Sequence, residues 1–211
     1  MSRLLAARLQ RWRFSAYAPL YDRLVRLDGA RRRSIAGLEL VSGESVLLVG
    51  AGTGADLPFL PAGVRAVATD VTPAMLERAR RKARPGDRLL VMDAHHLDFP
   101  DGAFDAVILH LVLALVEDPV RCLREAARVL RPGGRMAIFD KFLPERASAG
   151  ALRQAVNAVA LLVASDINRQ LGDLLARADV PLAVASDEPA AFRGLFRAIL
   201  LRKRSASGGA G

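Results

Sequence analysis

From residue 46 to residue 139 the apolar residues fall in short, mainly apolar runs rather than in strict alternation, at 46–49, 65–69, 89–92, 104–109 and 135–139. Short continuous apolar runs bounded by turn residues are the mark of strands buried on both faces. The stretches between several of these runs have helical spacing. Thr72 followed by Pro73 is a favourable helix start, and the helix it opens is expected to run to about Arg84 and stop at Pro85 and Gly86. Asp118 and Pro119 open another, with Val120, Leu123, Ala127 and Leu130 on one face, ended by Arg131, Pro132, Gly133 and Gly134. Strands alternating with helices predict a parallel sheet covered on both sides, with right-handed crossovers.

The two ends of the chain have a different texture. Over roughly the first 35 residues, Leu5, Leu9 and Trp12 share one helical face while Arg3, Arg8 and Arg11 occupy others. Phe14, Tyr17, Leu20, Tyr21 and Leu24 carry the apolar side past Pro19, where the helix is expected to break or kink. After residue 143 the pattern predicts an apolar helix at 147–165, a further one from Asp166 to about Ala178, and two closing strands at 181–185 and 195–201. Two adjacent closing strands suggest an antiparallel pair at one sheet edge. The expected architecture is α/β: a Rossmann-like seven-stranded, mostly parallel sheet with helices on both faces and the last two strands as an antiparallel edge pair. The expected division is a helical lid at 1–35, one ligand-binding domain at 36–204 and a disordered tail at 205–211.

The strand ends carry the candidate chemistry. In open sheets of this kind ligands bind beyond the carboxyl ends of the strands, and here those ends are Gly50, Asp70, Asp93 and His110 in succession. Gly50, Gly52 and Gly54 let the backbone turn tightly and approach a ligand closely. Gly50, Gly52 and Ala55, with Asp70 twenty residues beyond the first glycine, also satisfy a dinucleotide-binding pattern, so a nicotinamide or flavin enzyme stays open at this point. Asp140, at the end of the fifth run, is a further polar strand end, with a salt bridge to Lys141 or an arginine as its plainer explanation. His95 and His96 read first as solvated loop residues.

The loop Gly50, Ala51, Gly52, Thr53, Gly54, the second carboxylate Asp93, the segment from Phe99 through Pro100, Asp101 and Gly102 to Asp105, and Leu130, Arg131, Pro132, Gly133, Gly134 before the fifth strand together resemble the class I S-adenosylmethionine (SAM)-dependent methyltransferases. Within that group the chain resembles the branch containing quinone-biosynthesis methyltransferases and bacterial phosphatidylethanolamine N-methyltransferases, clearly over about residues 15–140. The resemblance implies that Gly50, Ala51, Gly52, Thr53 and Gly54 line the methionine part of the cofactor and that Asp70 binds the ribose hydroxyls. It implies that Val71 and Met75 flank the adenine, that Asp93 and the backbone of Ala94 read its edge, and that His110 and Leu111 lie near the sulfonium. Tyr17, Ala18, Pro19, Leu20, Tyr21 and Asp22 resemble the N-terminal stretch that folds over the cofactor. His110 is the first candidate for proton transfer from the methyl acceptor, and Tyr21 the second. One departure stands out: the family usually carries an acid two positions before the first loop glycine, and this chain has Leu48.

Charge and composition narrow the partners. The net charge is +9, with 31 Lys and Arg against 22 Asp and Glu, an excess that favours an anionic partner. With the basic amphipathic start, this suggests a small-molecule or lipid-like acceptor and peripheral contact with an anionic membrane. The arginines are scattered rather than interleaved with aromatics, which argues against nucleic acid, although RNA methylation and a non-catalytic SAM-binding role are alternatives. No apolar run approaches the roughly 20 residues of a membrane-spanning helix. The single cysteine, Cys122, reads as core, and no cysteine or histidine spacing suggests a metal. These features lead to the expectation of a cytoplasmic protein, in contact with the inner face of the membrane.

Overall fold

The computed structural model describes residues 27–142, 170–191 and 194–205. Residues 1–26 of the expected lid, with Tyr17 and Tyr21, the apolar helix at 147–165 and nearly all of the expected tail therefore lie outside the described residues, while residues 28–35 of that lid belong to a helix whose Ala30 and Ile35 are buried in the core.

The elements follow the order α1 (Asp28–Ala36), β1 (Ser45–Val49), a 3-10 turn (Leu57–Phe59), β2 (Arg65–Asp70), α2 (Pro73–Ala79), β3 (Arg88–Val91), β4 (Phe104–His110), α3 (Pro119–Val129), β5 (Leu130–Lys141), α4 (Leu171–Ala178), β6 (Leu182–Ala191) and β7 (Phe196–Lys203). One seven-stranded sheet has the order β3-β2-β1-β4-β5-β7-β6. β1 to β5 pair in parallel, while β7 runs antiparallel to both β5 and β6. The chain travels outward from β1 through β2 to β3, then returns to the far side of β1 with β4. The strand order thus reverses between β1 and β4, and their carboxyl ends border the crevice where such sheets bind ligands.

Both faces of the sheet are core. Leu47, Val49, Val67, Val107, Leu109, Met136 and Ile138 pack with α3 and α4. On the other face Val46, Leu48, Ala66, Ala68, Ala106, Ile108 and Ala137 pack with Ile35, Leu38, Leu57 and Leu60. Four alanines on the second face keep the layer thin, so the turn after β1 and the end of α1 sit close to the strands. Alternate residues of one strand serve opposite faces, which is why the runs had to be apolar throughout.

α3 starts as expected: Asp118 accepts the N–H of Arg121 at 3.0 Å, and Pro119 occupies the first turn. Val120, Leu123, Ala127 and Leu130 are all buried, as is Cys122, whose thiol burial pushes up to about 12. The Phe99–Asp105 and Leu130–Gly134 segments meet physically. Asp105 accepts Arg131 Nε at 2.6 Å and both the N–H and hydroxyl of Ser45 at 2.8 Å, joining the starts of β1, β4 and β5. Burial opposes ionisation of Asp105, but Ser45 and Arg131 outweigh it and hold the carboxyl down to about 2.

Three boundaries differ from expectation. α2 stops at Ala79, and the chain to Asp87 continues in tighter turns through bonds such as Arg81 N–H to Arg78 O and Lys82 N–H to Ala79 O. Pro85 disfavours helical backbone at Arg84, and the Arg84 guanidinium is drawn to the carbonyls of Leu60 and Pro61 and to Asp87. β5 begins at Leu130 rather than 135, because Pro132, Gly133 and Gly134 form a bulge inside the strand, between the pairs Phe104–Leu130 and Ala106–Arg135. β6 continues to Ala191 through Ser186, Asp187, Glu188 and Pro189. As the outermost strand it is largely exposed, so its second half carries no apolar signal, and a proline there breaks no inner ladder.

Candidate functional site

The loop after β1 turns through three left-handed glycines, Gly50, Gly52 and Gly54, at φ +63°, +55° and +70°. Their surroundings differ. A Cβ on Gly54 would stand 2.9 Å from the side chains of Ala79 and Leu57, whereas one on Gly52 would meet nothing within 4 Å. Gly54 therefore lets the loop pack against α2, while Gly52 presents bare backbone to open space where a ligand can approach. Left-handed backbone costs a residue with a Cβ roughly 1–2 kcal/mol. Gly54→Ala adds a steric clash and is expected to lower the melting temperature more than Gly52→Ala. Gly52→Ala is expected to lose ligand affinity out of proportion to its stability loss. Thermal unfolding and calorimetric titration of both variants check this pair of outcomes.

Asp70 closes the loop from the side. Its Oδ2 accepts the N–H of Gly52 at 2.9 Å and its Oδ1 the N–H of Thr72 at 2.8 Å, while Ala51 N–H reaches the carbonyl of Thr69 at 2.8 Å. Burial pushes the Asp70 carboxyl above its ordinary range, with the backbone bonds to Thr72 and Gly52 working in the opposite direction. A carboxylate offers about four acceptor sites, so these contacts leave room for hydroxyl donors. Met92 N–H pairs with Asp70 O at 3.1 Å, which keeps β3 in register with β2 and brings Asp93 to the neighbouring strand tip. The Asp93 side chain is 54% exposed. Its Oδ1 accepts the N–H of His95 at 2.9 Å and the His95 ring Nδ1 at 2.7 Å.

Around these groups, Val71 is exposed beside Asp70, Met75 is buried on the inner side of α2, and Ala94 packs partly against the core. Lys82 Nζ stands 3.5 Å from the hydroxyl of Thr53. Leu111 takes a left-handed conformation at φ +58° directly after β4, held by its N–H to Phe139 O at 2.7 Å. Glycine loop, Asp70 and Asp93 thus follow one another along one end of the sheet, with bare backbone on one side of two neighbouring carboxylates. This donor and acceptor set fits an adenosyl ligand with a ribose and an exocyclic amine.

His110 has a different setting. Its side chain is 1% exposed. Nδ1 lies 2.8 Å from Asp56 Oδ1 and Nε2 lies 3.0 Å from Ser34 Oγ. A carboxylate only accepts, so Nδ1 carries the proton and donates to Asp56. Asp56 Oδ2 accepts Arg31 NH1 at 2.8 Å. Burial alone would raise the Asp56 carboxyl, but His110 and Arg31 hold it down to about 2. A buried polar chain, Arg31–Asp56–His110–Ser34, thereby links α1, the turn after the glycine loop and the tip of β4. Sequence reasoning missed Arg31, Ser34 and Asp56. The one available signal was Asp56 itself, a lone acid followed by the apolar Leu57, Pro58, Phe59 and Leu60.

Asp140 is buried at the end of β5 and accepts the backbone N–H groups of Ala114 at 3.1 Å and Lys141 at 2.8 Å. Burial pushes its carboxyl up and the Lys141 amine down. His96 is exposed, while His95 is tied into the Asp93 turn. Leu48 is buried in the second core face, so the first strand offers no acid to the site. Among the described residues, no group of three or more metal-ligating side chains comes together, and no helix is long and apolar enough to cross a membrane.

Residues 47–138 match the family model described as "Methyltransferase domain". The chain is 37% identical over 134 residues to a phosphatidylethanolamine N-methyltransferase of Cereibacter sphaeroides, a match covering 61% of this chain and 66% of that one. It is 34% identical over 165 residues to a demethylmenaquinone methyltransferase of Tropheryma whipplei, covering 72% of this chain and 69% of that one. The chain thus spans about two thirds of the length of these curated relatives. In three dimensions it is similar to a chain from the Haloferax volcanii complex of the Trm112 methyltransferase activator with a methyltransferase. The TM-score is 0.74 at 19% identity, over 90% of this chain and 97% of that one.

Proposed function

The chain belongs to the class I S-adenosylmethionine-dependent methyltransferases, and from that premise we propose that it moves a methyl group from SAM to a small or lipid-like acceptor, an amine or a hydroxyl, at the surface of a membrane. The observation that carries this reading is the succession along three neighbouring strand tips of Asp93, Asp70 and the open backbone of Gly52, which Asp70 holds directly.

Bound SAM supplies a methyl group activated on a sulfonium. The protein supplies position and the exclusion of water. In this reading Gly50, Ala51, Gly52, Thr53 and Gly54 receive the methionine end, and Asp70 takes the ribose hydroxyls. Val71 and Met75 border the adenine, and Asp93 with the Ala94 backbone reads its edge. His110 positions the tip of β4: both ring nitrogens are engaged and the ring is sealed from solvent, so it is not placed to take the acceptor's proton. Tyr21, in the lid at 1–35, is the remaining candidate for that role.

The basic amphipathic start of the chain, the +9 charge and the relatives named for phosphatidylethanolamine and demethylmenaquinone support an amphiphilic acceptor. They support a cytoplasmic protein working against the inner face of the membrane. Incubation with methyl-labelled SAM and separate lipid and quinone extracts, read by mass spectrometry, is expected to give a labelled amphiphile. Flotation with anionic vesicles at low salt is expected to recover the protein. Label confined to water-soluble products, with no flotation, rejects the membrane acceptor. Leu48 favours one alternative, a SAM-binding protein that transfers nothing, because the buried leucine stands where the family places an acid. SAM binding without label transfer to any extract would select it.

A further inference from the structure

We infer that His95 is a positioning residue for adenine recognition: as a neutral ring bridging Asp93 to the start of α3, it fixes the carboxylate that reads the purine edge. The inference rests on the methyltransferase reading and adds to it a residue acting through Asp93.

The geometry settles the ring's protonation state. His95 Nε2 lies 3.1 Å from the backbone N–H of Asp118, which can only donate. Nε2 is therefore the acceptor and carries no proton. Nδ1 then carries the ring's one proton and donates it to Asp93 Oδ1 at 2.7 Å. The same oxygen accepts the His95 backbone N–H at 2.9 Å. Arg121 Nε donates to the His95 carbonyl at 2.9 Å, and Asp118 accepts the Arg121 N–H at 3.0 Å. His95 is thus clamped from both sides by the first turn of α3, a helix whose apolar face is buried in the core. The Asp93 side chain is half exposed, so its orientation depends on the groups that hold it rather than on core packing. Two donors from one neighbour, itself fixed to a rigid helix, direct Oδ1 toward His95 before ligand arrives. Such pre-organisation raises affinity by reducing what binding must order.

Adenine differs from hypoxanthine in the amine that a carboxylate can accept from. A residue that orients Asp93 therefore controls the preference for S-adenosylhomocysteine over S-inosylhomocysteine, whereas a residue that only supports the fold moves both affinities together. Calorimetric titration of the full chain with each ligand is expected to show a clear preference for the adenosyl compound. His95→Ala is expected to reduce that preference by about tenfold, the scale of one charge-assisted hydrogen bond, chiefly by weakening the adenosyl ligand. His95→Gln presents an amide N–H and a carbonyl to the same two partners and is expected to retain most of the preference. In an Asp93→Ala background, His95→Ala is expected to add almost nothing. Equal weakening of both ligands, an unchanged ratio in His95→Ala, or full additivity with Asp93→Ala overturns the inference while leaving the methyltransferase reading intact. Failure of the unmodified protein to bind S-adenosylhomocysteine overturns both.

Discussion

Asp70→Ala is expected to weaken S-adenosylhomocysteine binding by at least about a hundredfold, from the loss of two charge-assisted hydrogen bonds at roughly 1.5–3 kcal/mol each. The side chain sits at the tip of β2, where it holds the Gly52 and Thr72 N–H groups. The Asp70 residue itself is only half-buried, so water can reach the two N–H groups once the carboxylate is gone, and the cost to the fold is expected to stay near about 1 kcal/mol. The pH dependence has a definite sign. Burial raises the folded-state pKa of Asp70 above its ordinary value, so its contribution to stability is present at low pH and is lost as pH rises through the folded value. Ligand binding behaves oppositely, since it needs the ionised form. Affinity for S-adenosylhomocysteine is therefore expected to fall, on acidification, at a higher pH than an ordinary aspartate would set. Asp70→Asn should remove that step while keeping shape. Titrations of both variants across pH check it, and wild-type affinity in Asp70→Ala would remove Asp70 from the site.

The sheet was legible in the sequence because its central strands are buried on both faces, and double burial leaves unbroken apolar runs at 46–49 and 106–109. The strand-tip carboxylates were legible for a related reason. A polar residue that ends an apolar run must sit where the strand leaves the core, and Asp70 and Asp93 do. The second half of β6 was not legible, because an edge strand exposed to water needs no apolar alternation, and Ser186, Asp187 and Glu188 satisfy it. The buried chain through Asp56 was hidden by distance along the sequence. Its contacts join residues separated by 25, 54 and 76 positions, and no local pattern encodes a pairing of that range. Arg31 was hidden further by its neighbours: of three successive arginines, 31–33, only the first is buried.

Asp56→Ala is expected to be the most destabilising of these substitutions, by about 3–5 kcal/mol, because it leaves a buried charge without its partner. The Arg31 and Asp56 side chains are 8% and 6% exposed, so solvent cannot take over the guanidinium's hydrogen bonds. His110 loses the acceptor of its Nδ1 proton at the same time. Against a typical total of about 5–15 kcal/mol, the loss places the variant near its unfolding transition at moderate temperature. Asp56→Asn offers one acceptor and turns an amide N–H toward one of two donors, so it recovers little. Removing the charge together with its partner is a different case. Arg31→Leu combined with Asp56→Leu deletes the ion pair without orphaning either charge, a replacement often neutral for the pair itself, and leaves only the His110 Nδ1 proton without its acceptor. The double variant should therefore be more stable than Asp56→Ala. The acid side gives an independent check. Asp56 is held down to about 2 from 3.8, so its stabilisation is present above the unfolded value and is lost as pH falls through the folded one. Urea unfolding should show a gap between wild type and Asp56→Ala that is full at neutral pH and narrows between about pH 4 and pH 2. A gap below about 1 kcal/mol at pH 7 would mean that the buried network does not hold α1 and the glycine-loop turn against the tip of β4.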